Sequence, residues 1–165
     1  IFLLILQHCM KKLPLLPTII GTGFGSGFWP WGPGTAGALT GMLIWYALSF
    51  VHNSTFLLAT ILSCIIIFTI LGTWATKRLS PFWGSDPKKV VIDEIVGVWI
   101  PLLAVPASDI WLALASFVLF RFFDILKPLG IRRLDRHEGA FFVMADDILA
   151  GIYSLIIIVV VQWII

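Results

Sequence analysis

Charge is what this 165-residue sequence lacks most: Asp, Glu, Lys and Arg make up 12% of it, where a soluble domain carries roughly a quarter. Cysteine is nearly as scarce. Cys9 and Cys64 make neither a disulfide framework nor a zinc motif, and no arginine follows either closely enough to form a cysteine-phosphatase loop. No Walker lysine accompanies the glycines, which excludes the common nucleotide-binding loop. There is no internal repeat, low-complexity tract or heptad pattern. Nor is there a nucleic-acid reader motif, and the basic residues lie beside apolar runs, so no nucleic-acid partner is expected.

What the sequence has instead is apolar surface. Hydrophobic residues make up 59% and the mean hydropathy is +1.02, more than a single soluble core of this size can hide. Several runs approach the roughly 20 apolar residues that cross a bilayer. The expectation is one domain over residues 1–165, an all-α polytopic membrane helix bundle with about five transmembrane spans. Those spans run from Thr35 to Val51, Thr55 to Ala75, Val90 to Val105, Ile110 to Leu126 and Val143 to Ile165. The opening "IFLLILQHCM" reads as an amphipathic or lipid-touching helix. "GTGFGSGFWPWGPGTAGALTG" reads as an interfacial or re-entrant glycine-rich segment, with the tryptophans of "FWPWG" as interfacial anchors.

The few basic residues are unevenly placed. Lys11 and Lys12 precede the first span; Lys77, Arg78, Lys88 and Lys89 lie between the second and third; Lys127, Arg132, Arg133 and Arg136 lie between the fourth and fifth. The turns "HNS" and "PASD" carry none. Because cytoplasmic loops are enriched in Lys and Arg, the N-terminus and both long loops are expected on the cytoplasmic side.

That orientation brings the acids together. Asp93 and Glu94 enter the third span, Asp124 ends the fourth, and Asp146 and Asp147 are expected in the first turn of the fifth, all about 5 Å inside the cytoplasmic boundary. Converging carboxylates repel and require cations or protons. All-oxygen donors without a Cys or His pair favour Mg²⁺, Mn²⁺ or Ca²⁺ over zinc. Gly97, Ala150 and Gly151 follow the acids by one helical turn, leaving room for a neighbouring backbone. Adjacent acids also suit a helix N-terminus, but that reading fails for Asp124, near a C-terminus. In "FRFFDILKP", Arg121, Asp124 and Lys127 recur close to one helical face. On one reading Arg121 neutralises Asp124 while Lys127 reaches the interface; on another, compatible with it, Arg121 or Lys127 holds a phosphoryl oxygen. "IRRLDRHEG" reads as an ordinary basic loop, or as one recognising an anionic headgroup through Arg132, Arg133, Arg136 and His137.

Four blocks, "GTGFGSGFWPWGPGTAGAL", "VVIDEIVGVWI", "FRFFDILKPLGIRRLDR" and "MADDILAG", together resemble the phosphatidylglycerophosphatase A family of bacterial inner-membrane lipid phosphatases. The resemblance implies Mg²⁺-dependent hydrolysis of phosphatidylglycerophosphate to phosphatidylglycerol and inorganic phosphate. It carries the acidic positions onto Asp93, Glu94, Asp124, Asp146 and Asp147, the glycine-rich block onto Gly23, Gly25, Pro33, Gly34 and Thr35, and the basic positions onto Arg121 and Lys127. The approach "EGAFFVMADD" has fewer glycines than is usual in that family. The rival reading is a small cation channel or transporter. It is weakened by acids on one side only and by the absence of a polar chain across the spans.

Overall fold

A computed structural model describes residues 13–50, 53–84, 87–128, 130–137 and 139–164. The expected lipid-touching helix in residues 1–10 lies outside them. Within them the chain is helical throughout, with no strand: α1 (Leu15–Gly21), a 3-10 turn (Ser26–Phe28), α2 (Pro33–Ser49), α3 (Ser54–Trp83), α4 (Ile92–Leu102), α5 (Ile110–Leu126), α6 (Ile131–Asp135) and α7 (Ala140–Ile164).

Local chemistry sets several of these boundaries. Pro33 opens α2 at a position whose N–H needs no partner. Asn53 caps α3 by accepting from the Phe56 N–H at 2.9 Å, and Asp109 caps α5 by accepting from Leu112 at 3.0 Å. α5 keeps its expected bounds, whereas α3 does not stop at Ala75. It runs through "TKRLSPFW" for 30 residues in all, so Lys77 and Arg78 lie on helix rather than loop. Pro81 has no N–H to give the Lys77 carbonyl, which accepts from the Ser80 hydroxyl at 3.1 Å instead.

α3 and α7 are long and apolar enough to cross a membrane. α2 and α5 have 17 residues each and α4 has 11, so five full-length spans do not carry over from the sequence. At 11 residues, α4 reaches about 16 Å, roughly half the hydrocarbon thickness. Its setting explains how so apolar a helix can be so short. Every residue of α4 except Glu94 is buried, sheathed by α2, α3, α5 and α7. The Trp99 indole, 2% exposed, donates to the Gly41 carbonyl at 2.8 Å and ties α4 to α2.

Small residues let the helices close on α4. A Cβ on Gly37 would stand 2.7 Å from Val91, and one on Gly41 2.8 Å from Val98. On the opposite side of α4, a Cβ on Gly151 of α7 would stand 2.5 Å from the Gly97 carbonyl oxygen. The glycine-rich segment packs against the lead-in to α4, where the Val91 N–H donates to the Gly21 carbonyl at 2.8 Å.

Candidate active site

Each acid reaches the site by a different local route. Asp93 and Glu94 occupy the first turn of α4. Asp124 lies in the last turn of α5. Asp146 and Asp147 are not in a first turn, because α7 begins at Ala140; they sit about 9 Å along it. One turn further along each helix, Gly97 and Gly151 meet backbone to backbone.

The result is a cavity of ≈ 370 Å³ whose lining includes all five expected carboxylates, together with Arg121 and Lys127. Oxygens of Asp93, Glu94 and Asp147 lie within 4.8 Å of one another. Asp93 and Asp147 are 7% and 3% exposed, and Asp93 Oδ1, Glu94 Oε2 and Asp146 Oδ1 are buried without a hydrogen-bond partner. Burying bare carboxylate oxygens is costly. A hard divalent cation fits this donor set, in which every atom is a carboxylate oxygen. The lining has six acidic side chains against four basic ones, Lys88, Arg121, Lys127 and Arg136, a formal excess of two acids.

The cations are arranged around the acids. Arg121 pairs with Asp124 on the same helix, as one sequence reading expected. Lys127 does not continue the α5 face: the helix ends at Leu126, and Lys127 takes the left-handed conformation, with φ 46°. A non-glycine residue held there is strained. Its ammonium thereby reaches Asp146 Oδ2 at 2.5 Å and also pairs with Asp135. Burial alone would lower the Lys127 pKa, but the hydrogen bonds and charges of Asp135 and Asp146 outweigh it and hold the pKa above the ordinary lysine value. Lys127 is therefore a fixed positive charge across the working pH range, not a proton donor.

The remaining expected positions separate. Gly34 lines the cavity, and a Cβ there would collide with Glu94 Oε1. Gly25 and Thr35 line a neighbouring groove instead. Gly23 lines neither; it is buried at φ 52°, and a Cβ there would stand 2.6 Å from Ile95. Arg132 and Arg133 face a separate basic hollow that also includes Lys127 and Arg136. Pro33, expected from the glycine-rich block, also lines the cavity, whereas sequence reasoning missed Asp135, Lys88 and the role of Gly32 in its wall. Asp135 had one signal, as an acid within an otherwise basic loop.

Comparison with known proteins gives the family. A family model described as phosphatidylglycerophosphatase A matches residues 19–162. A Bacteroides thetaiotaomicron protein carrying the name "Putative phosphatidylinositol-3-phosphatase" is 54% identical, over 94% of this chain and 99% of its own length. Phosphatidylglycerophosphatase A of Haemophilus influenzae is 40% identical over 93% of this chain and 94% of its own. That of Escherichia coli is 36% identical over 82% and 77%. No solved structure matches.

Proposed function

Because the chain belongs to the phosphatidylglycerophosphatase A family and is thus a lipid phosphatase, we propose that it removes the terminal phosphate of phosphatidylglycerophosphate. The products are phosphatidylglycerol and inorganic phosphate, and the reaction depends on Mg²⁺. The observation that carries this reading is the carboxylate cavity with its convergent oxygens and its two more acidic than basic side chains. Family membership displaces the transporter reading, which the acids alone left open.

Asp93, Glu94 and Asp147 would hold the cation, with Asp124 and Asp146 beside them. Bound there, Mg²⁺ would neutralise the phosphoryl oxygens and make phosphorus more electrophilic. The protein's own groups do the rest. Arg121, its charge shared with Asp124, faces the phosphoryl group and stabilises charge as the transition state forms. Lys127 fixes Asp146 through Oδ2, leaving the bare Oδ1 to orient a water and accept its proton as oxygen attacks phosphorus. The ester bond to the lipid glycerol breaks, and the departing alkoxide takes a proton from solvent. Attack by a carboxylate, through an aspartyl-phosphate, is the alternative route. Gly34, at the start of α2, completes the wall beside the substrate headgroup, while Thr35 lies in the neighbouring groove and Arg132 and Arg133 in the basic hollow beyond Lys127.

In the membrane, α3 and α7 cross fully. α2 and α5 are at the short end of crossing length, and α4 is enclosed among them. Lys77 and Arg78 of α3, Lys88, Lys89 and the arginines around α6 all lie at the cavity's end of the bundle. The opposite connections near Asn53 and Pro106 carry no Lys or Arg. This charge distribution supports reading the protein as a multi-pass protein of a bacterial inner membrane with the cavity at the cytoplasmic face, the substrate phosphate at the interface and its acyl chains in the hydrocarbon layer.

The Bacteroides relative's name supplies a specific rival substrate, phosphatidylinositol 3-phosphate, which shares the diacylglycerol phosphodiester and a distant phosphomonoester. Phosphate release from the two lipids, measured side by side with purified protein in detergent and Mg²⁺, decides between them. We expect kcat/KM for phosphatidylglycerophosphate to be higher by at least about tenfold. The reverse order would transfer the assignment to the inositol lipid.

A further inference from the structure

Beside the catalytic cavity lies a second hollow, a groove of ≈ 580 Å³ between the 3-10 turn and the outward face of α2, lined mainly by Trp29, Trp31, Thr35, Leu39 and Leu43. Gly32 lines both the cavity and the groove, so the two adjoin at the start of α2. Two features of the groove point to a particular occupant. It is apolar and exposed, with Trp31 88%, Leu39 42% and Leu43 55% accessible. It also has a direction. From Gly32 it follows α2 away from the carboxylates for about 15 Å, toward the middle of the bundle's apolar belt.

A molecule filling both spaces must be charged at one end and must continue as a flexible apolar strand at the other. We propose that the groove holds one acyl chain of the lipid substrate, with the glycerol linkage passing over Gly32 while the phosphomonoester sits among the carboxylates. Gly32 suits that crossing, having no side chain and an open backbone at φ 123°. Trp29 and Trp31 flank the mouth at the depth where indoles favour the interface. The opposite face of the same helix, Gly34, Gly37, Ala38 and Gly41, is buried, so α2 separates the acyl strand from the protein core. The inference rests on the lipid phosphatase reading and adds a site for the part of the substrate that does not react.

The test compares dihexanoyl and dioleoyl phosphatidylglycerophosphate as substrates of the intact protein and two variants, reading the ratio of kcat/KM for the long-chain to the short-chain lipid. Thr40 also lines the groove, so Thr40→Phe places a ring in it and is expected to lower that ratio about tenfold, since overpacking of a fitted site costs about this much. Leu43→Ala removes contact without blocking and is expected to lower it about threefold. An unchanged ratio in both variants, whether through equal losses or none, overturns the proposal and leaves the phosphatase reading intact. A change of oligomeric state in place of a change of ratio gives the groove to a second copy of the chain and overturns it too. Failure of the unsubstituted protein to release phosphate from either lipid rejects the phosphatase reading, and the acyl site with it.

Discussion

Asp147→Asn is expected to lower phosphate release by on the order of a thousandfold while leaving the protein folded and somewhat more stable than its parent. The activity loss follows from the position of Asp147, one of three side chains whose oxygens converge within 4.8 Å. Metal charge stabilisation is worth several kcal/mol, and each ~1.4 kcal/mol is tenfold in rate. The stability gain follows from the same cluster. Without a metal, Asp147 is a buried carboxyl crowded by the other acids of the lining, so replacing it with a neutral amide relieves desolvation and like-charge cost by about 1 kcal/mol. Activity and thermal unfolding in detergent, both measured with chelator and with Mg²⁺, check the two halves. A structural carboxylate would behave in the opposite way. Asp124→Asn leaves the Arg121 guanidinium without its charged partner, and the protein should lose stability. A destabilised Asp147→Asn that retained its activity would make Asp147 a packing residue.

The second large effect concerns packing at a distance from the chemistry. Gly151→Leu should destabilise the bundle by about 3 kcal/mol, near the upper end for overpacked sites, and abolish hydrolysis. A Cβ at Gly151 would stand 2.5 Å from the Gly97 carbonyl oxygen and 3.0 Å from Ile100. The first of these neighbours is backbone in the middle of α4 and cannot turn aside. α7 must therefore move off α4, carrying Asp147, one turn away, from Asp93 and Glu94. Gly151→Ala should shift both readings the same way by less. Thermal unfolding and phosphate release on the same preparations test the coupling; wild-type activity in a Gly151→Leu protein would show that the α4–α7 approach does not hold the site.

The convergence of the acids was legible in the sequence because each pair sits at the same end of an apolar run, and basic residues mark that end. Gly97, Ala150 and Gly151 announced the close helix crossing through their one-turn spacing from the acids. Three features were not legible, each for a physical reason. The extension of α3 through "TKRLSPFW" was hidden because polar residues and proline are compatible with a final helical turn as well as with a loop. The left-handed Lys127 continues the spacing of Arg121 and Asp124 in sequence, and only the contacts with Asp135 and Asp146 reveal that the helix has ended. Glycines that bind a phosphate and glycines that admit a neighbouring backbone look alike in a string. Gly34 lies against Glu94, whereas Gly23 serves the packing of Ile95 and Val91.

The central claim, that these carboxylates hold a divalent cation for lipid phosphate hydrolysis, is tested most directly by one titration. Phosphate release from phosphatidylglycerophosphate is followed after chelation as Mg²⁺ is returned, with the parent protein and Asp93→Asn run in parallel. The account predicts no release under chelator, saturable recovery in the parent, and at most a small fraction of that recovery in Asp93→Asn at any Mg²⁺ concentration. Release that persists in chelator, or matching Mg²⁺ curves for the two proteins, would contradict it.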